Sequence, residues 1–141
     1  MDCRAPPRSA PGRRAVSGVL DASAVLALLN DEPGSDFVRA RLGGSLMSLV
    51  NAIEVGTKLV DKGLSESQAR ETLDLIDIPL VGLDHDVAQA SVALRAATRS
   101  RGLSLADRVC IALAAREGLP AITADRSWTE LALPCTVELI R

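Results

Sequence analysis

Short runs of apolar residues alternate along the chain with longer stretches in which apolar positions recur every three or four residues. The short runs have the length of buried strands, and the longer stretches have the period of helices that bury one face. This alternation is typical of a three-layer α/β/α fold with a mainly parallel sheet of four or five strands. Strands are predicted at residues 16–20, 46–48, 79–83, 120–123 and 136–140.

Local signals at helix ends place helices between these strands. We expect Ser23 to cap the first helix and Ser104 to cap the last, since serine hydroxyls accept from free N–H groups there. Residues 65–68 have the form of a capping box. The predicted helices cover about 23–29, 36–41, 49–62, 65–76, 86–99 and 104–118.

Residues 1–15 differ from the remainder of the chain. They are rich in Pro, Arg, Ser and Gly and show no hydrophobic periodicity. We interpret them as a flexible tail, and the alternative is a start-site artefact, with the true start near Val16. One domain is therefore expected over residues 16–141, a length sufficient for its own core.

Composition excludes several classes of protein. The chain is 48% hydrophobic and 24% charged, as globular domains are, and no apolar run approaches the roughly 18 residues of a membrane span. Three cysteines without C-x-x-C spacing argue against a disulfide framework or a zinc site and favour a cytoplasmic location. A net charge of -2 and only two aromatic residues argue against a basic or stacking nucleic-acid binder, so any contact with RNA must be local.

Four carboxylates stand at positions that point to the interior. Asp21 and Asp125 directly follow apolar strands, at the carboxyl ends where open α/β sheets form their sites. Glu54 lies at the margin of the apolar stripe of its helix. Asp107 precedes an almost wholly apolar segment that must be buried.

Each acid also has a purely structural interpretation. Asp21 can cap the following helix, and Asp125 can form a turn. Asp107 has capping-box spacing to Ser104, and Glu54 has the same spacing to the residue three before it. For any one acid alone, the structural interpretation is as good as the functional one.

The four acids together favour a metal site. Carboxylates that converge in a crevice of low dielectric raise one another's pKa, and a cation relieves that repulsion. Oxygen ligands without histidine or thiolate select Mg²⁺ or Mn²⁺. Such an ion polarises a phosphoryl oxygen and stabilises charge on a leaving oxygen, so the predicted chemistry is phosphodiester hydrolysis.

The acids stand in four short motifs, which are VLDASA at 19–24, NAIEV at 51–55, LSLADRVCIALA at 103–114 and ITADRSW at 122–128. In their order and separation these motifs resemble the PIN domain, and within it the VapC-type toxins of toxin–antitoxin modules. The resemblance covers nearly all of residues 16–141. The sequence departs from the family pattern at Trp128, where phenylalanine is more usual, and in the N-terminal tail.

The resemblance implies a metal-dependent endoribonuclease that uses Mg²⁺ or Mn²⁺ and acts as the toxin of a type II toxin–antitoxin module. It also implies a homodimer and a cognate VapB-like antitoxin. The implied sheet is parallel, with Asp21 and Asp125 on adjacent strands. Ser23 and Thr123 would be nearby hydroxyls that steady the ligands. Catalysis and metal binding are assigned to the four acids, Asp21, Glu54, Asp107 and Asp125.

Contacts to RNA phosphate are expected from arginines near the acids, because a guanidinium binds phosphate in bidentate fashion. Taken singly, each arginine is more simply a solvated surface charge. The candidates are Arg95, Arg99, Arg101, Arg108 and Arg126.

Two alternatives stay open: a PIN fold kept for protein contact without catalysis, and a housekeeping PIN nuclease without an antitoxin. Other α/β classes fit less well. A haloacid-dehalogenase-like phosphatase needs a second acid two residues after Asp21, where Ser23 stands. The chain also has neither of the common glycine-rich nucleotide loops.

Overall fold

In the computed structural model, which describes residues 17–141, short parallel strands lie between two layers of helices. The strands are β1 (Val19–Leu20), β2 (Met47–Ser48), β3 (Leu80–Val81), β4 (Ala121–Thr123) and β5 (Val137–Leu139). One sheet has the order β1-β4-β5, and the other pairs β2 with β3. An isolated parallel bridge between Val19 and Leu46 joins the two sheets at β1 and β2.

Seven α-helices cover this sheet. They are α1 (Ala22–Leu29), α2 (Ser35–Arg41), α3 (Leu49–Asp61), α4 (Glu66–Ile76), α5 (His85–Ala93), α6 (Arg95–Thr98) and α7 (Leu105–Glu117). Two 3₁₀ turns follow α6 and β4, at Arg99–Arg101 and Arg126–Glu130. None of the helices between residues 17 and 141 is long and apolar enough to cross a membrane.

The predicted α/β class and the parallel pairing are confirmed, with differences in detail. All five strands occur where expected but are two or three residues long, and they form sheets of three and two strands rather than one. The predicted helix at 86–99 is divided at Leu94 into α5 and α6, although the Leu94 and Thr98 amides keep their helical bonds to the Ala90 and Leu94 carbonyl oxygens. The prediction for residues 1–15 lies outside the described residues.

Two hydrophobic cores lie on opposite faces of the sheet. Leu20 and Ile122 belong to the core formed with α1 to α4, whereas Val19 and Ala121 belong to the core formed with α5 and α7. Successive side chains of a strand point to opposite faces, so β1 and β4 each contribute to both cores. Side-chain packing on both faces therefore fixes the position of β1 and β4. Because of this packing, even strands of two or three residues keep a defined register.

Gly18 allows β1 and β4 to approach closely. A Cβ atom there would lie 2.7 Å from Ile122 Cδ1 and 2.8 Å from the Pro120 carbonyl oxygen. The backbone oxygen cannot move aside without shifting β4 itself. The absence of a side chain at this position therefore sets the spacing of the two central strands.

We predict that Gly18→Ala destabilises the protein by about 1–3 kcal/mol, the usual consequence of overpacking a core. The control is Gly43→Ala, since a Cβ at Gly43 meets nothing within 4 Å. Urea denaturation of both variants measures the free energies of unfolding. Equal stability of the two variants would contradict the proposed steric role.

Candidate active site

The carboxyl ends of β1 and β4 meet at Asp21. Leu20 is in register with Ile122, and the Asp21 amide donates to the Ile122 carbonyl oxygen at 2.9 Å. This pairing places the Asp21 side chain opposite Thr123, the last residue of β4. Only 3% of Asp21 is exposed, so its carboxylate must find its hydrogen-bond donors within the protein.

Three neutral side chains donate to the Asp21 carboxylate. Oδ2 accepts from Ser23 Oγ at 2.6 Å and from Thr123 Oγ1 at 2.8 Å, and Oδ1 accepts from Asn51 Nδ2 at 3.4 Å. Asp21 does occupy the N-cap position of α1, so the prediction that Ser23 caps this helix is wrong. The Asp21 side chain makes no capping bond, which argues against the structural interpretation of this acid.

The two hydroxyls also tie the residues after β4 to the start of α1. Ser23 Oγ accepts from the Ala124 amide at 2.9 Å, and Thr123 Oγ1 accepts from the Asp125 amide at 3.0 Å. A hydroxyl has one hydrogen, and in both residues it points to Asp21. Each hydroxyl therefore accepts from a backbone amide and donates to the Asp21 carboxylate. These two pairs of hydrogen bonds orient Asp21 relative to Asp125.

Asn51 belongs to this site, and the sequence analysis missed it. It is fully buried on α3, and its Nδ2 donates to the Ala106 carbonyl oxygen at 3.3 Å as well as to Asp21. Both neighbours can only accept, so the amide nitrogen must face them. The available signal was a polar residue within the apolar run that leads to Glu54.

The four predicted acids line a single cavity of about 150 Å³. They come from four separate places in the chain: the end of β1, the middle of α3, the first turn of α7 and the segment after β4. Asp21 and Asp125 follow adjacent parallel strands, as the resemblance implied. Among residues 17–141 the lining is Asp21, Ala22, Ser23, Leu26, Glu54, Lys58, Asp107 and Asp125.

Burial and mutual repulsion perturb the acids of this cavity. Burial raises the pKa of Asp21 to about 6, and the charges of Asp107 and Glu54 act in the same direction, whereas the hydroxyls of Ser23 and Thr123 oppose the shift. The pKa of Glu54 is raised by burial and then by Asp107. The pKa of Asp107 is raised by burial and further by Asp125. The four carboxylates thus form one electrostatic unit.

Asp107 and Asp125 have structural roles as well. Asp107 Oδ2 accepts from the Ser104 amide at 2.8 Å and Ser104 Oγ accepts from the Asp107 amide at 3.1 Å, which is the capping box predicted as the structural interpretation. Asp125 Oδ1 accepts from the Ser127 amide at 2.9 Å and from the Ser127 hydroxyl at 2.8 Å. Each of these carboxylates caps its own helix or turn and also lines the cavity.

The cavity fits a hard divalent cation by the chemistry of its donors. They are carboxylate oxygens, and Glu54 Oε1 is buried without a hydrogen-bond partner among the described residues. Within residues 17–141, however, no three acids, histidines or cysteines are gathered closely enough to enclose an ion. The capping bonds of Asp107 and Asp125 use one carboxylate oxygen each, Oδ2 and Oδ1, so the second oxygen of each side chain is left as a possible ligand.

None of the predicted arginines belongs to the cavity lining, although the charge of Arg108 lowers the pKa of Asp107. Arg95 and Arg99 are exposed on the surface. Arg101 pairs with Glu130. Arg108 donates to the Ser91 carbonyl oxygen, and Arg126 donates to the Arg141 carbonyl oxygen, each at 2.9 Å. The basic residue that does line the cavity is Lys58, which the sequence analysis missed although it follows Glu54 by one helical turn.

The PIN domain family model matches residues 18–133, so this chain belongs to the PIN domain family. A comparison with curated proteins found no match. The chain is also similar to solved structures of toxin–antitoxin proteins, at identities that speak for the fold alone.

Three of these structures cover nearly the same part of the chain. DNA-bound VapBC from Salmonella typhimurium has a TM-score of 0.70 at 15% identity, covering 90% of this chain and 100% of that one. A toxin-antitoxin complex from Klebsiella pneumoniae has a TM-score of 0.63 at 20% identity, covering 85% and 99%. VapBC-5 from Mycobacterium tuberculosis has a TM-score of 0.58 at 24% identity, covering 90% and 99%.

We predict that the metal-free protein loses stability as the pH rises from about 4 to 7, and that Asp21→Asn loses less. The folded pKa of Asp21, about 6, exceeds the ordinary value of 3.8, so the folded state retains a proton that the unfolded chain releases. The stabilisation is complete below the unfolded pKa and is lost as the pH passes through the folded one. The deprotonation of Asp21 accounts for about 3 kcal/mol of the decrease in the free energy of unfolding.

Urea denaturation in the presence of EDTA, at several pH values, measures this difference. The free energy of unfolding of Asp21→Asn should exceed that of the wild type by an amount that grows with pH. Parallel pH profiles of the two proteins would show that Asp21 titrates normally in the folded state.

Proposed function

We propose that this protein is a metal-dependent endoribonuclease and the toxin of a type II toxin–antitoxin module. The observation that carries the proposal is the cavity at the carboxyl edge of the sheet, which four acids from separate elements line together. Burial and the charge of neighbouring acids raise the pKa of three of them, Asp21, Glu54 and Asp107. A core that served only packing would gain nothing from this repulsion. A hard cation offsets it and at the same time provides the chemistry of phosphodiester hydrolysis.

Asp21, Glu54, Asp107 and Asp125 are the residues that would hold Mg²⁺ or Mn²⁺. When bound, such an ion polarises a phosphoryl oxygen and stabilises the charge that develops on the leaving oxygen. Asp21 contributes a carboxylate whose direction is set in advance by its neutral donors. Because those donors carry no charge, the full negative charge of Asp21 remains available to a cation.

Glu54 is positioned to handle the proton of the reaction. Its Oε1 is buried without a partner in the described part of the chain, and its raised pKa favours proton uptake. A water molecule attacks the phosphorus, its proton passes to Glu54 Oε1, and the bond from phosphorus to the 3′ oxygen breaks. The leaving oxygen takes a proton from solvent, so the products carry a 5′-phosphate and a 3′-hydroxyl.

The RNA substrate and the protein partners are part of the same proposal. An acidic site on a chain of net charge -2 predicts modest RNA affinity with clear salt dependence, and exposed Arg95 and Arg99 are suited to phosphate contacts outside the cavity. A cognate VapB-like antitoxin is supported by the similar structures, which are toxin–antitoxin complexes. A homodimer and a cytoplasmic location complete the proposal.

The test is cleavage of a fluorogenic RNA by the full chain, after EDTA treatment and after Mg²⁺ or Mn²⁺ is restored. We expect no cleavage without metal, and a loss of at least about 100-fold in kcat for Asp21→Asn, since charge stabilisation worth several kcal/mol is removed. The matched control is Asp36→Asn, which changes an acid with a 98% exposed side chain on α2 and should leave activity unchanged.

Two results would contradict the proposal. Cleavage that persists in EDTA and in Asp21→Asn would show that the acids and the metal are not responsible. No cleavage of any RNA, with antitoxin binding unchanged in Asp21→Asn, would favour the non-catalytic binding module instead.

A further inference from the structure

Lys58 places a positive charge at a cavity otherwise dominated by carboxylates. It lies on α3 one turn after Glu54, and both side chains line the cavity. No other basic side chain in residues 17–141 belongs to that lining. Of the acids in the lining, Glu54 is the one whose pKa the charge of Lys58 lowers.

The Lys58 ammonium is nevertheless not tied to a carboxylate. Glutamate followed by lysine four residues later is the favourable order for an ion pair on a helix. Yet Lys58 forms no ion pair with any residue that the structure describes, whereas six such pairs form elsewhere. The side chain is exposed and flexible, so it can move to an anion that arrives at the cavity.

The ammonium has opposite effects on the two ligands that the proposed function brings to this cavity. It repels a divalent cation, and it attracts the negative charge of an RNA phosphate. A lysine at a metal cavity therefore weakens metal binding by itself. It becomes favourable once a phosphate occupies the space beside the acids.

We propose that Lys58 is a substrate-binding residue that contacts the RNA phosphate lying at the acidic cavity. This inference rests on the proposed nuclease function. It adds a basic residue in the cavity lining that can bind phosphate, a position that none of the predicted arginines occupies. The contact is electrostatic and not specific for base sequence, because a lysine recognises phosphate as a point charge.

The chain offers a matched control one turn further on. Lys62 is the C-cap residue of α3 and is also exposed to solvent, but it does not line the cavity. The variants Lys58→Met and Lys62→Met lose the same charge from the same helix. A general effect of net charge on RNA binding would appear in both.

The first measurement is titration of the EDTA-treated and dialysed protein with MnCl₂ alone, by calorimetry. Lys58→Met should bind Mn²⁺ about two- to fivefold more tightly than the wild type, because one repelling charge is removed. Lys58→Arg should bind like the wild type. Lys62→Met should change little.

The second measurement is binding of a labelled single-stranded RNA in EDTA, by fluorescence anisotropy at several KCl concentrations. Lys58→Met should bind about three- to tenfold more weakly, and the slope of log affinity against log salt should become shallower by about 0.7, as expected for one lost phosphate contact. Lys58→Arg should restore both affinity and slope.

Opposite shifts in Mn²⁺ and RNA affinity identify the proposed role, since a merely structural residue would weaken both together. An RNA slope unchanged in Lys58→Met, or changed equally in Lys62→Met, would overturn the proposal. RNA cleavage by the wild type is measured in a separate assay, because it tests the nuclease function and not the Lys58 contact. A wild type that binds RNA through Lys58 but never cleaves it would refute the nuclease function and leave the phosphate contact standing.

Discussion

The Asp21 carboxylate is buried between the two central strands and lies near two further acids, and each of these conditions opposes its ionisation. Three donors offset this opposition. Ser23 is a neighbour in the chain, in the first turn of α1, whereas Asn51 in α3 and Thr123 in β4 come from distant elements. All of them must be in place for the carboxylate to be accommodated. The arrangement of α1, α3 and β4 around one side chain thus determines the shape of the candidate active site.

Burial and repulsion among the acids destabilise the folded state at the site to which the proposed function is assigned. Neutral donors orient Asp21 without cancelling its charge, and burial keeps water from screening the repulsion among the acids. In the proposed function, the repulsion that lowers stability at neutral pH is also what a bound cation would relieve. A loss of stability at the site and an affinity for metal would then have the same electrostatic cause.

Asp107 and Asp125 show that one side chain can cap a helix or turn and line the cavity at the same time. In each residue, one carboxylate oxygen caps the helix or turn that the residue begins. Their backbone positions at these beginnings also direct them to the carboxyl edge of the sheet. A cap can be predicted from the local sequence, because it depends on neighbours in the chain. The cavity cannot be predicted in this way, because it is formed by residues far apart in the sequence.

The sequence alone determined the fold class and the approximate positions of all five strands, because hydrophobic period is a local property that each segment carries by itself. It also singled out the four acids that line the cavity, from their combination and from the order of the motifs along the chain. Tertiary structure decided the rest. It showed that Asn51 supports Asp21, that the predicted arginines lie outside the cavity, and that Lys58 lies within its lining. These facts depend on which side of a helix meets which strand, and that is settled only when distant segments pack against one another.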